Sequence, residues 1–503
     1  MILREVKQMT KEILDSKNTL YNKYIDEWTL YELVWQSGKP LIDYAIYKQP
    51  RESDVNYKAR LRDGYIFNFG KAIIDVYNFY LNEKDVYRDL NGLEKDEQWQ
   101  LFQKDADLNN TDYDVLLNES QKLASVDGSI GILVNKPGSE FHMTRASEIE
   151  AGIYPYYALY SLPNIYDWTW EKNPETHRNE LVFLKLKQAN GDYLLWSRSE
   201  WELWTIDPGT KLPKLKTSGE NPLGEIPFVW LVNLKDITHP EIGSSDLVDI
   251  ARIVTSITQN LSCGEEMIKL AGFPIFRSPM EEDTGFGDDE AGDDEVPIGV
   301  RGVEEFNPTY GEGGKPDWMP TQILEPVEAA LKWIDRKTDE IYRVAHLSGV
   351  HGQRKSNNEV SSGLALRYEF SQLNSVLIAK STNLTEAELQ CLRLWLKWQD
   401  QEDMFDGIEI KRSEEFSIDE ISIAVSNALT AYKNVLSRTF RQKVMEKIAM
   451  QTLPDLTEKE RKKIQREIIK NVPKKVDFID GTNDISKFVR NANQANADHS
   501  RDE

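Results

Sequence analysis

Glu325-Pro-Val-Glu-Ala-Ala-Leu331 opens a stretch that continues through Ser348-Gly-Val-His-Gly-Gln-Arg-Lys-Ser-Asn-Asn-Glu-Val-Ser-Ser362 and Gly363-Leu-Ala-Leu366 and ends near Gln399. Val327, Ala330, Leu331, Ile334, Thr338 and Ile341 recur at helical spacing, Pro326 sits where a first helical turn tolerates proline, and Ser348-Gly349 supplies a stop. This predicts a helix over Glu325 to Leu347. Residues Ser348 to Ser362 carry almost no apolar side chains, so they have nothing with which to pack into a core. Leu366, Phe370, Leu373, Leu377, Leu384, Ala387, Cys391, Leu394 and Trp398 then form a second apolar stripe, interrupted only at Lys380. A helix from Gly363 to Gln399 is a rod of roughly 55 Å at 1.5 Å per residue, longer than a compact domain usually needs. Two long helices around a polar loop suggest a component of a larger assembly.

The remainder of the 503-residue chain fits that frame. Residues 1 to about 125 read as mostly helical, with Leu61, Tyr65, Phe69, Ile73, Val76 and Tyr80 on one face of a helix expected over Tyr57 to Leu81. From Val126 the period changes. Gly128-Ser-Ile-Gly-Ile-Leu-Val134 is a buried-strand run, and Tyr154 to Tyr160, Leu181 to Leu186, Tyr193 to Ser197, Glu202 to Thr205 and Pro227 to Val232 are further strands. Asn190-Gly191 marks a hairpin. A helix capped by Ser244 or Ser245 follows, carrying Leu247, Ile250, Ala251, Val254, Ile257 and Leu261. Pro274 to Ser278 and Val296 to Val303 are short strands flanking a glycine-containing acidic run: Glu281, Glu282, Asp283, Asp288, Asp289, Glu290, Asp293, Asp294 and Glu295. After the long helix, Gly407 to Ile410 reads as a strand. Ser417-Ile-Asp-Glu420 opens the first of three terminal helices, the last ending near Lys470. The tail from Asn471 has no core-forming pattern. The expected fold is α+β and predominantly helical.

Most catalytic and ligand-binding motifs are excluded by the residues present. Gly314-Lys315 fails as a phosphate loop because Thr309 stands where its first glycine belongs and Pro316 follows. Gly128-Ser-Ile-Gly131 fails as a nucleophile elbow because Asp127 precedes it. The histidines 142, 177, 239, 346, 351 and 499 are scattered, and the acidic run lacks a calcium-loop register. No metal, cofactor or enzymatic activity is expected. The formal net charge of −23 argues against gripping nucleic acid through its phosphates, although not against letting it slide past. Cys263 and Cys391 read as reduced, packed thiols. No apolar run is long enough for a membrane span, and the first residues lack a signal-peptide pattern, so folding in a cytoplasm without membrane contact is expected.

The order of these elements resembles the portal (head-tail connector) proteins of tailed bacteriophages over most of residues 20 to 470. The local cues are Gly224-Glu-Ile-Pro-Phe-Val229, Ser362-Gly-Leu-Ala-Leu366, Val435-Leu-Ser-Arg-Thr439, Leu453-Pro-Asp-Leu456 and Glu458-Lys-Glu-Arg461. The resemblance implies a subunit with wing, stem, clip and crown regions. Residues 1–125 and 126–243 would be the helical and mixed β parts of the wing, 244–271 and 325–347 the stem helices, and 272–324 the clip with its acidic excursion. Residues 348–362 would be a tunnel loop, 363–400 the long wing helix and 401–470 the crown-side helices; the polar composition of residues 471–503 predicts a disordered tail. It further implies a ring homo-oligomer, usually a 12-mer, at one capsid vertex of the virion. Such a ring touches the major capsid protein, docks the large subunit of terminase and a head-tail adaptor or neck protein, and passes double-stranded DNA without sequence specificity during packaging and ejection. Within the loop, Gln353, Arg354, Lys355, Asn357 and Asn358 offer weak, exchangeable phosphate contacts. An ordinary exposed connector is the alternative reading of the loop, and a non-conducting helical scaffold or adaptor is the alternative for the whole chain.

Overall fold

The computed structural model describes residues 9–138, 144–272, 276–279, 303–306, 317–318, 324–347, 363–413, 416, 438–452 and 458–471. The chain divides into two compact units, residues 1–416 and 417–503.

The first unit begins with helices α1 (Lys11–Asp15), α2 (Thr19–Gln36), α3 (Lys39–Ala45), α4 (Asp54–Asp63) and α5 (Phe69–Asn82). Their starts are set locally: Asn18, Ser53 and Asn68 each accept a backbone N–H of the first turn through the side chain. The single helix expected over Tyr57 to Leu81 is in fact two, because the chain turns extended at Gly64. A Cβ there would lie 2.8 Å from Ile46 Cδ1, so the break also lets α4 close on α3. Ile73 is buried and Phe69, Val76 and Tyr80 pack on the core, whereas Tyr65 lies exposed beyond the break.

Strand β1 (Tyr87–Asp89), helices α6 (Glu97–Lys104) and α7 (Tyr113–Asp127), and strand β2 (Ser129–Asn135) follow. The turn between α7 and β2 is made by Gly128 at φ +99°, where an added Cβ would meet Ile242 O at 2.9 Å. Next come α8 (Arg145–Glu150), β3 (Tyr156–Ser161), β4 (Ile165–Lys172), β5 (Asn179–Lys187), β6 (Tyr193–Ser197), β7 (Glu200–Ile206), β8 (Pro213–Glu220) and β9 (Phe228–Val232). Strand β2 lies between β3 and β9, antiparallel to both, with Ile132 opposite Leu159 and Val229. Strands β4 to β8 form a five-stranded antiparallel meander. The turn at Asn190-Gly191 joins β5 to β6 as the hairpin signal requires, with Gly191 at φ +87°.

Within residues 126–243, two strands escape the sequence pattern. β4 reads Ile-Tyr-Asp-Trp-Thr-Trp-Glu-Lys, whose period breaks where its pairing with β5 shifts register. β8 reads Pro-Lys-Leu-Lys-Thr-Ser-Gly-Glu and is an exposed edge, which has no buried face to demand apolar residues.

Two apolar cores meet at β2. Ile130, Ile132 and Val134 face one, with Trp99, Phe102, Tyr113, Tyr157 and Trp395; Leu133 faces the other, with Val34, Ile73, Leu247 and Leu377. Coverage on both faces explains why this strand is continuously apolar instead of alternating.

The unit is completed by α9 (Ala251–Gly272), β10 (Phe276–Pro279), β11 (Val303–Phe306), β12 (Asp317–Trp318), α10 (Leu324–Val344), α11 (Gly363–Trp398) and β13 (Glu409–Lys411). β10 pairs in parallel with β11 and antiparallel with β12; β13 pairs antiparallel with β1. The helix expected from residue 244 starts at Ala251, since residues 246–250 form turns opened by Ser245, whose Oγ accepts Leu247 N–H at 3.0 Å. Of the strand expected over Val296 to Val303, residues 296–302 lie outside the described residues, and a strand is found at Val303–Phe306. In the second unit, α12 (Arg438–Thr452) and α13 (Glu458–Asn471) are a helical pair. The helix expected at Ile421 to Leu436 and the tail from Val472 lie outside the described residues.

Candidate functional site

The residues expected to face DNA (Gln353, Arg354, Lys355, Asn357 and Asn358) lie outside the described residues, as does the whole acidic run from Glu281 to Glu295. The elements that hold the two ends of residues 348–362 are described, and the long helix after them carries two buried ionic nodes.

On the N-terminal side of the loop, α10 packs along α9, with Ile334 and Ile341 of one and Val254, Ile257 and Leu261 of the other buried. The helix does not run to Leu347 as its sequence suggests. His346 takes the left-handed conformation at φ +55°, its N–H bonds Arg343 O, and Leu347 N–H bonds Tyr342 O at 2.8 Å. That is the double bond of a Schellman stop, one turn before Ser348-Gly349. Ala345 O, at the same end, accepts the Tyr77 hydroxyl at 2.6 Å, which fastens it to α5. Further along the pair, Arg252, Ile253, Ser256, Trp333, Arg336, Lys337 and Glu340 line an open groove. Lys337 Nζ donates to Ser256 Oγ at 2.7 Å, and partial burial holds its ammonium below the ordinary lysine range. Trp333, which lines this groove, remains 53% exposed, and Leu331 on the same helix 57%.

On the C-terminal side, α11 is fixed by two fully buried charged residues. Lys380, where the apolar stripe is interrupted, has no exposed surface. Its Nζ donates to Asp246 Oδ2 at 2.5 Å, Asn233 Oδ1 at 2.7 Å and Ser125 Oγ at 3.1 Å, and it lies 5.0 Å from the centre of the Tyr77 ring. Three donors of an ammonium therefore meet three acceptors. Asn233 in turn donates to Asp246 Oδ1 at 2.9 Å and Ser244 O at 3.0 Å. Burial lowers the Lys380 pKa, and Asp246 opposes that shift. This node joins α11 to α7, to the residues after β9 and to the entry of α9.

Glu388 is the second node, also without exposed surface. Its Oε1 accepts Arg88 Nε at 2.7 Å and the Tyr113 hydroxyl at 2.9 Å, and its Oε2 accepts Arg412 Nη2. Arg88 also reaches Asp114 at 2.7 Å, and Arg412 reaches Thr385 Oγ1 at 3.0 Å. Burial alone would pull the Arg88 guanidinium down; Glu388, Tyr113 and Asp114 hold it above its ordinary value. Eight residues separate the nodes, about 12 Å along the helix. The sequence contained a signal for the first node: Lys380 interrupts the buried stripe, where an unpaired charge would be too costly to keep, whereas nothing in the pattern singles out Glu388. Their partners, from Arg88 to Arg412, carry no such signal because they come from separate elements.

Chemically this is a clamp. Each charge is matched by hydrogen bonds inside the core, and neither node opens onto the groove residues. Among the described residues, no group of three or more His, Cys, Asp or Glu is placed to hold a metal ion, and no helix is long and apolar enough to cross a membrane. Cys263 and Cys391 are free thiols.

No protein-family model matches the chain, and no curated protein does either. Among solved structures, the chain is similar to one in the "Virion of native gene transfer agent (GTA) particle", at 12% identity and a TM-score of 0.40, over 83% of this chain and 98% of that one.

Proposed function

We propose that this chain is the subunit of a portal-type ring at a capsid vertex, a structural component without catalysis, through which double-stranded DNA is packaged and ejected. The observation that carries this reading is the treatment of residues 348–362. The helix before this segment ends in a Schellman stop fastened by Tyr77. The 36-residue helix after it is clamped at Lys380 and Glu388. A polar segment held between two rigidly anchored helices suits mechanical contact with a moving polymer. Its Arg354 and Lys355 supply exchangeable phosphate contacts, while the acidic balance of the chain as a whole keeps DNA from being held. The paired helices α9 and α10, with the acidic excursion between them, then correspond to stem and clip. On this reading the partners are further copies of the chain, the major capsid protein, the large subunit of terminase and a neck or adaptor protein.

Electron microscopy of the purified protein tests the reading. Rings with a central channel that admits a duplex are expected; monomers or filaments at high concentration would overturn it in favour of a non-conducting scaffold. A packaging assay with terminase then tests the loop. Arg354→Ala with Lys355→Ala should lower the DNA content of particles while rings still assemble, and unchanged DNA content would remove the loop from the mechanism.

A further inference from the structure

The negative charge of this chain is unevenly distributed. Helices α12 and α13 together carry ten Lys and Arg against four Asp and Glu, although the whole chain has a formal net charge of −23. On α13 the cations are also concentrated by helical geometry. With 3.6 residues per turn, positions 459, 462, 463, 466 and 470 fall within a wedge of about 100°. Every one of them is Lys or Arg. Ile464 and Ile468, half-buried, take the opposite side, and Glu460 and Glu467 fall outside the wedge. Lys463, Arg466 and Lys470 are exposed. The pair is tied at one end, where Arg438 Nη2 and Gln442 Nε2 donate to Ile469 O at 2.9 and 3.3 Å, so the wedge lies on a helix held by its neighbour.

We propose that this wedge of α13 binds the phosphate backbone of nucleic acid, independently of the ring reading above. A protein partner would favour a different surface, because the centres of protein interfaces are depleted of Lys and enriched in aromatic residues, Met and Arg, whereas four of the five wedge cations are Lys and the wedge has no aromatic residue or Met. Phosphates require only a row of cations. The wedge runs about 16 Å along the helix, and duplex DNA presents one charge per about 1.7 Å of its axis, so several phosphates lie within reach of one copy. Lys443 of α12 is not part of the wedge, since it is paired with Glu446 at 2.7 Å.

The test uses the full chain and a short labelled DNA duplex, with binding followed by fluorescence anisotropy as salt is raised. Three phosphate contacts give a slope of log K against log salt of about −2.7, or a loss of about 40-fold between roughly 50 and 200 mM salt. The variant Lys463→Gln, Arg466→Gln, Lys470→Gln should bind at least about tenfold more weakly with a shallower slope. A control variant at exposed lysines elsewhere, Lys11→Gln, Lys172→Gln, Lys214→Gln, should bind as the parent does. Circular dichroism checks that both variants keep the parent's helix content. Absence of duplex binding at low salt, or equal binding by the α13 variant and the parent, overturns the proposal. So does equally tight binding of labelled polyglutamate, which would make the wedge a site for acidic protein.

Discussion

Lys380 and Asp246, 134 residues apart in the chain, form an ion pair with almost no access to water, and Asn233 bonds both partners. Ion pairs at a surface contribute little, but removing one partner of a buried pair leaves the other charge stranded in a medium that cannot solvate it. Lys380→Met should therefore destabilise the protein by ~3–5 kcal/mol. The double variant Lys380→Met, Asp246→Asn removes the stranded carboxylate while keeping an amide beside Asn233, and should recover part of that loss. Urea denaturation of the four corners of the cycle measures the coupling. Strict additivity would mean that the two side chains do not act as a pair.

Glu388 collects Arg88, Arg412 and the Tyr113 hydroxyl at one carboxylate, joining β1 and the residues after β13 to the long helix. Glu388→Ala strands two guanidinium groups and should cost ~3–5 kcal/mol. Glu388→Gln keeps the shape and one acceptor, so a smaller loss of ~1–3 kcal/mol is expected. The order of the two midpoints is the check; a glutamine variant as unstable as the alanine variant would show that charge, and not packing, dominates the node.

Asp127 makes a pH prediction. Burial, with the Glu32 carboxylate adding to it, pushes the Asp127 pKa well above the usual carboxylate range, and its Oδ1 has no hydrogen-bond partner. A carboxyl raised in the folded state contributes stability that is fully present below its unfolded value, about 4, and is lost as pH rises through the folded value. Asp127→Asn should thus be stabilising at neutral pH relative to the parent. Its advantage should vanish near pH 4 and grow above it by at most about 1.4 kcal/mol per pH unit. Thermal melts across this window compare the two proteins, and an advantage that grows towards acid would contradict the assignment.

Gly131 sits under the ring of Phe228, whose Cζ would lie 2.0 Å from an added Cβ. Both belong to neighbouring strands of the central sheet, where neither backbone can move without breaking pairing. Gly131→Ala should cost ~1–3 kcal/mol through overpacking. Adding Phe228→Leu should relieve part of that cost, as read from denaturant midpoints; no relief would place the strain elsewhere.

Much of this architecture could be read directly. The long helix is expected at Gly363 to Gln399 and found at Gly363–Trp398, and the hairpin at Asn190-Gly191 joins the two strands that its turn chemistry demands. Even the continuously apolar β2 announces coverage on both faces. The periodicity of apolar residues carries this information because burial of one face is a local, repeating constraint. The break at Gly64 and the stop at His346 were less legible. A glycine within a helical pattern is only a weak breaker, and histidine in the left-handed region is adopted because the two closing hydrogen bonds of the stop repay its strain.

Sequence periodicity alone places the long helix, the Asn190-Gly191 hairpin and a charged residue, Lys380, in an otherwise apolar stripe. Why that charge is tolerated emerges only in the folded chain. Its partners, Asp246, Asn233 and Ser125, belong to three different parts of the chain and converge once α7, β9 and α11 have packed. A buried ammonium needs its acceptors at hydrogen-bond distance in three dimensions, and no spacing along one dimension encodes that requirement.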